Sequence, residues 1–352
     1  MIDTSTARTD DDRRAAWNAA GVAPLWENAL AHNGTPQPKR PGLWPWRTMK
    51  PLVDDAASLT STGVVERRVL SLMGADSQAP GYPFTVTNLN AGFQILLPGE
   101  AARPHRHSMN ALRFVIDGTG ANTVVDGKPC PMSAGDLILT PGWTWHEHVH
   151  SGEGPIVWLD VLDASLHRYL GTDDFEPGPP HHVPARTGDD AFAFANLLPD
   201  SGDPTLHSPV FRYPWSTAVA AVSAAPRARD GARRIRYINP ATGGATMSLL
   251  DCTLMQLDAG QETLAFRTSS HSVCAVVEGS GSTTCGDTTI AWGEKDVFAL
   301  PNREWVTHRA TGRARIFVTT DREILRRLDL LEERYRDPGE SGAERAADGD
   351  RY

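Results

Sequence analysis

Cysteine is scarce in this chain. Four occur in 352 residues, at Cys130, Cys252, Cys274 and Cys285. None forms a CxxC, so neither a zinc knuckle nor a thioredoxin-type motif is indicated. Sparse, irregularly spaced thiols fit a reducing cytoplasm, which is the expected location. Basic runs are lacking too, and the net charge is -9, which argues against a nucleic-acid partner. Long apolar runs are missing. No stretch approaches the roughly 18 residues of a membrane span, so no membrane is expected. The segment 1–14 is polar and acidic, without the apolar centre of a signal peptide. What remains is ordinary globular composition, 40% hydrophobic and 22% charged, in a chain long enough for two domains.

Residues 1 to about 12 read as a disordered leader. Over 13–32, Trp17, Val22, Leu25, Trp26 and Leu30 suggest short helical pieces interrupted by Gly21 and Pro24. The Pro-rich stretch 33–51, with Trp44 and Trp46, reads as an extended arm packed on a neighbour, with a subunit interface as one option. These make an N-terminal section, 1–65. From 66 to 163 the runs are short, apolar or alternating, and separated by Gly, Pro, Asp and Asn. That pattern indicates an all-β barrel or jelly roll. Residues 164–245 read as an inter-domain connection, with a short helix ended by Pro226. A second strand-rich block fills 246–336. Within it, 321–334 is predicted as a helix with Ile324, Leu325, Leu328 and Leu331 on one face. The tail, 337–352, is Gly- and charge-rich and is expected to be disordered.

One feature stands out against this background: Pro104-His105-Arg106-His107, answered by Trp143-Thr144-Trp145-His146-Glu147-His148. Histidines at i and i+2 cannot share a helix face, but they share a strand face. His105, His107 and His146 are therefore candidates for one metal site inside a barrel. Three neutral imidazoles suit Fe(II), Zn(II), Ni(II) or Cu(II), and spacing leaves the choice open. His181 and His182, adjacent in the connection, are weak candidates.

The two strand-rich blocks are copies of one unit. Asp117-Gly118-Thr119-Gly120 matches Glu278-Gly279-Ser280-Gly281, and Trp145 matches Trp305. In that register His105 falls on Phe266, His107 on Thr268 and His146 on Val306. The second copy fills its barrel without ligands, so the first-copy histidines are present for chemistry. His308 matches His148. His271 is a candidate remnant ligand.

Other roles follow from parity. Arg113 shares the inward face and calls for an anion, either a substrate carboxylate, an oxygen-derived anion or Asp160. His148 is a candidate hydrogen-bond donor or proton carrier, with a structural role as competitor. Arg67 or Arg68 could supply a further anion contact. Asn90, Gly92 and Gln94 share one strand face.

Gly99 followed by His105-x-His107, and Gly135 followed by Pro141 and His146, resemble the two cupin motifs. The usual cupin Glu is absent, with Ala111 and Leu112 in its place. More specifically, the chain resembles the bicupin gentisate 1,2-dioxygenase family, which includes salicylate and 1-hydroxy-2-naphthoate dioxygenases. The stretches that carry this are Glu66-Arg67-Arg68-Val69-Leu70, Leu96-Leu97-Pro98-Gly99-Glu100, the two histidine segments, Trp158-Leu159-Asp160 and Asn239-Pro240-Ala241-Thr242-Gly243-Gly244.

The resemblance implies an all-β bicupin: two jelly-roll barrels with short N-terminal helices, a Pro-rich arm and a C-terminal helix. It implies one Fe(II) per chain in the N-terminal barrel and a homotetramer. It also implies cleavage of a small aromatic hydroxy-acid between its carboxyl- and hydroxyl-bearing carbons, with both atoms of dioxygen (O2) entering the product. Gln94 keeps the family's substrate-contact position. Asn90 replaces a large aromatic of the family's Trp-Ala-Gly-x-Gln, and Met109 departs from a frequent Gln. These changes point to a ring-substituted salicylate, such as a nitro- or halo-salicylate, or to gentisate. The alternatives are a cupin isomerase or decarboxylase using another divalent metal, and a non-catalytic bicupin that binds a small acid.

Overall fold

The architecture is given by a computed structural model that describes residues 9–20, 22, 40–74, 84–178, 188–194, 197–200 and 206–336. The expectations for 1–8, Gly21, 23–39, His181, His182 and the tail 337–352 lie outside the described residues. Asp10–Ala19 is a helix, so it begins inside the stretch expected to be disordered. Its start is reciprocally capped. Asp12 N–H donates to Thr9 Oγ1 (3.2 Å), and Thr9 N–H donates to Asp12 Oδ2 (3.1 Å).

Among the described residues there are four antiparallel sheets, two for each barrel. The first barrel faces a six-stranded sheet, centred on Ala111–Asp117, Ile156–Leu162 and Asn90–Leu96, against a five-stranded sheet that contains Ala101–His107 and His146–His150. The second barrel repeats the plan with Ser272–Glu278, Ala314–Thr320 and Asp251–Leu257 against Phe266–Thr268 and Val306–Ala310. Phe114 and Phe317 stack between the barrels with ring centroids 4.1 Å apart. This is a bicupin, an all-β chain of two jelly rolls.

The duplication is longer than the sequence showed. Gly42–Trp44 pairs with Val297–Leu300, and Arg212–Tyr213 pairs with Leu137–Thr140. Each short strand runs through a Pro-Trp into a helix, Trp46–Leu59 or Trp215–Ala224. Trp46 N–H donates to Asp296 Oδ1 (2.7 Å) and Trp215 N–H to Asp136 Oδ1 (2.8 Å). The halves thus exchange arms: each arm docks on the other half's barrel. The Trp-rich arm has the second barrel of its own chain as neighbour, and it is helical from Trp46 onward.

Each half also closes alike. Ala164–Leu170 and Phe175–Pro177 follow the first barrel; Arg322–Arg327 and Glu333–Tyr335 follow the second. The helix predicted over 321–334 therefore ends early. Asp329 adopts φ 58°, and Glu333–Tyr335 pairs with Phe266–Thr268. Helical periodicity is overridden there by an open sheet edge, which offers backbone partners that an exposed last turn lacks.

Candidate metal centre

Ala101–His107 and His146–His150 are neighbours, and His105 lies directly opposite His146. The ladder register shifts between Ala102 and His105, and Pro104 sits in that gap, where a missing N–H breaks no rung. The result brings one ligand atom from each of His105, His107 and His146 to within 4.8 Å of one another, with all three side chains buried.

The far side of two rings is already committed. His107 Nδ1 donates to Met109 O (2.8 Å), and His146 Nδ1 donates to Thr144 O (3.0 Å). A carbonyl only accepts, so Nδ1 carries the proton and Nε2 presents a bare lone pair. His105 Nδ1 lies 3.4 Å from Arg103 O and touches Arg67 Nη2. His146 Nε2 is buried with no hydrogen-bond partner among the described residues. A buried orphan of this kind is costly unless something fills it, and a divalent cation fits the three nitrogens. Burial, reinforced by Arg67 and then His107, lowers His105 to about 2. Burial lowers His107 to about 4 and His146 well below the usual imidazole range. The triad is therefore neutral at physiological pH, the state that ligates metals.

Beside it lies a second buried cluster. Arg113 and Asp160 occupy one rung of adjacent strands, with Arg113 Nε 3.4 Å from Asp160 Oδ1. Arg113 Nη1 donates to Thr140 Oγ1 (2.6 Å), and Trp158 Nε1 donates to Asp160 Oδ1 (3.0 Å). Burial pushes both members of the pair toward neutrality, and the opposite charge of each counters that push. Gln94 is fully buried, and neither of its amide atoms has a partner among the described residues. Arg67 is held at about 10, chiefly by burial and then by Arg113, and stays charged.

The second barrel separates chemistry from scaffold at each position. Its counterpart of the Arg113–Asp160 rung pairs Cys274 with Val318. The rung of Gln94 and Trp158 becomes Met255 and Ile316, and Thr140 becomes Leu300. Arg67 matches Ala232, two residues before the Arg234–Met255 rung, as Arg67 precedes Val69–Gln94. Phe266 faces Val306 where His105 faces His146, and Tyr335 covers Phe266 with centroids 4.8 Å apart.

Other features recur and belong to the fold. Arg68 Nη1 donates to Ala57 O and Thr60 O (3.1 and 3.0 Å), and the guanidinium pairs with Glu100. Its counterpart Arg233 donates to Ala225 O in the same way. Arg68 is thus turned away from the site, and Arg67 is the member of the pair that reaches it. His148 Nδ1 meets Thr123 Oγ1 at 2.9 Å, as His308 Nδ1 meets Thr283 Oγ1 at 2.8 Å. His148 differs in its company: its ring lies 6.3 Å from His146 and 5.1 Å from Trp158, and its Nε2 is buried without a partner among the described residues. Trp143 has φ 62° and its counterpart Arg303 φ 61°, so that backbone strain is architectural. His271 donates its N–H to Asp321 (2.7 Å), with Nδ1 2.9 Å from the same carboxylate. Asn110 grips Asp163 identically (2.9 and 2.7 Å), so His271 is a strand anchor rather than a relic ligand.

Three further candidates make identifiable contacts within the chain. Asn90 Oδ1 accepts from Ser165 N–H (3.0 Å) and Ser165 Oγ (2.9 Å), which ties the strand to the start of helix Ala164–Leu170. A Cβ at Gly92 would sit 2.6 Å from Val69 Cγ1, so the glycine makes room for the neighbouring strand. Met109 acts on His107 through its carbonyl. Thr140, Ser165 and Phe175 join these residues only through the tertiary structure. The Phe175 ring stacks on His105 with centroids 5.2 Å apart. Only Thr140 left a signal, a polar residue before Pro141 where the second copy has Leu300 before Pro301.

Two jelly rolls, one with three converging histidines and one with those positions filled, place the chain among the bicupins, and the cupin domain family matches residues 92–162. The relatives are more specific. Gentisate 1,2-dioxygenase 1 of Aquipseudomonas alcaligenes is 36% identical over 324 residues, 89% of this chain and 92% of that protein. A 5-aminosalicylate 1,2-dioxygenase of Comamonas sp is 34% identical, covering 91% of this chain and 89% of its own. A salicylate 1,2-dioxygenase of Pseudoaminobacter salicylatoxidans, solved as a gentisate adduct, superposes with TM-score 0.86 at 29% identity, over 95% of this chain and 97% of that one. The chain belongs to the gentisate and salicylate 1,2-dioxygenase family of aromatic ring-cleaving enzymes.

Proposed function

We propose that the chain binds one Fe(II) through His105, His107 and His146 and cleaves an ortho-hydroxybenzoate with O2 between its carboxyl- and hydroxyl-bearing carbons. What supports the choice of ligands is one observation: two of the three imidazoles are turned by backbone carbonyls so that Nε2 faces a shared buried point. Iron, when bound, supplies the electron exchange between ring and O2 that this cleavage needs.

The chain's own residues do the rest. Arg113, buried, and Arg67, partly buried, bring two positive charges to an interior otherwise hostile to an anion, and they receive the substrate carboxylate. Gln94 offers both a donor and an acceptor to the bound ring's polar edge. His148, neutral through burial, gives or takes one proton at Nε2. Asp160 opposes the effect of burial on Arg113 and orients it. Phe175 covers His105 and limits water at the ligand. Asn90 stands where the family has a large aromatic, which favours a ring-substituted salicylate or gentisate as substrate. By the same family likeness we place the protein in the cytoplasm as a homotetramer. Among the described residues, no helix is long and apolar enough to cross a membrane.

The test is oxygen uptake and product mass after anaerobic purification and Fe(II) reloading, with gentisate, salicylate and ring-substituted salicylates. Substrate-dependent uptake with a product heavier by both oxygen atoms is expected. Turnover without oxygen would favour an isomerase or decarboxylase, and binding without turnover a small-acid-binding protein. His105→Ala should lose iron; retained iron would show that the ligand set is wrong.

A further inference from the structure

The geometry points to Thr140 as the positioning residue that sets the reach of Arg113 toward the substrate anion, a role that rests on the anion-binding reading of Arg113 above. Thr140 is completely buried. Its hydroxyl is a one-way link. Arg113 can only donate, so Thr140 Oγ1 accepts from Nη1 (2.6 Å). Ala111 O can only accept, so the hydroxyl proton goes there (3.0 Å). Ala111 and Thr140 are opposite residues on neighbouring strands, and Ala111 opens the strand that carries Arg113. The guanidinium is thereby tied back to the root of its own strand.

Asp160 holds the other side. It lies 3.4 Å from Arg113 Nε, and Trp158 Nε1 fixes the carboxylate (3.0 Å). Nε makes no hydrogen bond among the described residues, so Asp160 acts on the guanidinium through charge and Thr140 is its hydrogen-bonded anchor. No partner among the described residues occupies Nη2. One hydrogen bond at Nη1 and one ion pair beside Nε therefore leave the Nη2 end of the fork for an incoming anion. The second barrel shows that the fold does not require this hydroxyl: where Arg113 becomes Cys274, Thr140 becomes Leu300, and the strands pair in the same register. Hydroxyl and guanidinium are present together in one barrel and absent together in the other.

The experiment compares Thr140→Val, which keeps the shape and removes the hydroxyl, with Thr140→Ser, which keeps the hydroxyl. Salicylate binding is measured by calorimetry on Fe(II)-loaded protein without oxygen, with phenol as the probe that lacks a carboxylate, alongside kcat and KM. Loss of this hydrogen bond is expected to weaken salicylate binding and kcat/KM about tenfold to a hundredfold. Phenol binding and iron content should not change, the unpaired Nη1 should lower the melting temperature modestly, and Thr140→Ser should restore most of both losses. Wild-type salicylate affinity and kcat/KM in Thr140→Val would overturn the role. Equal impairment of both variants would also overturn it, because keeping the hydroxyl would then rescue nothing. If Thr140→Val does not fold, the serine variant decides: near-wild-type binding supports the role and a hundredfold loss rejects it. A wild-type protein that binds salicylate no better than phenol removes the anion-binding reading itself, and the positioning role with it.

Discussion

Arg113 and Asp160 face each other across one antiparallel rung inside the first barrel, while the matching rung of the second barrel joins Cys274 to Val318. The charged pair is an addition to a fold that closes without it. Removing one member should cost more than removing both. Asp160→Val alone leaves Arg113 as an uncompensated buried charge, a loss of about 3 kcal/mol or more. Adding Arg113→Met should recover most of it. Urea unfolding of the single and double variants measures the difference, and a double variant less stable than the single would refute the argument.

The metal ligands can be exchanged for the residues that occupy their places in the second copy. The triple change His105→Phe, His107→Thr and His146→Val should abolish metal binding by elemental analysis. The melting temperature of the metal-free protein should move by no more than roughly 4 °C, the equivalent of about 1 kcal/mol in a domain of this kind. Retained stoichiometric metal would disprove the ligand assignment.

Two adjacent arginines should respond oppositely. Arg67→Ala, which copies Ala232, is expected to raise KM for salicylate by about tenfold while leaving stability intact, because it removes a charge from the pocket and one that rests on His105. Arg68→Ala should lower stability by about 3 kcal/mol, because Glu100 and the end of helix Trp46–Leu59 lose their buried partner. The same pattern with the two residues interchanged would show that the strand register had been misread.

Asn90→Trp introduces a large aromatic and breaks the bonds to Ser165. Relative kcat/KM should shift away from ring-substituted salicylates and toward gentisate. Unchanged relative rates would remove Asn90 from the determinants of specificity.

His308 supplies a pH signature outside the metal site. Burial, then Arg234, lowers it to about 3, against roughly 6.5 in the unfolded chain. Below about pH 6.5 the unfolded chain takes up a proton that the folded chain refuses. The stability from this site is therefore complete above that pH and declines as pH falls toward 3, by roughly 1.4 kcal/mol per pH unit. His308→Gln should flatten the slope of unfolding free energy between pH 6 and pH 4 by about that amount. An unaltered slope would mean that His308 is protonated in the folded protein.

Much of this was legible in the chain itself. Period-two spacing put His105 and His107 on one strand face, and the internal copy showed which positions the fold fills with Phe266, Thr268 and Val306. Those are local or self-comparative properties, because side-chain direction along a strand follows from the backbone alone. The choice between Arg67 and Arg68 was not legible, since both neighbours of a strand boundary have plausible partners until Glu100 and Ala57 are brought in from elsewhere. The arm exchange was hidden for the same reason: Gly42–Trp44 finds its sheet more than 250 positions away, as the rung of Trp44 and Val297 shows. Thr140 looked like one more strand residue until register set it against Ala111 and placed its hydroxyl on Arg113. The sequence by itself determined the histidine face, the duplication and the family. Tertiary structure decided which polar groups meet, because hydrogen-bond partners depend on register and on segments distant in the chain, neither of which periodicity encodes.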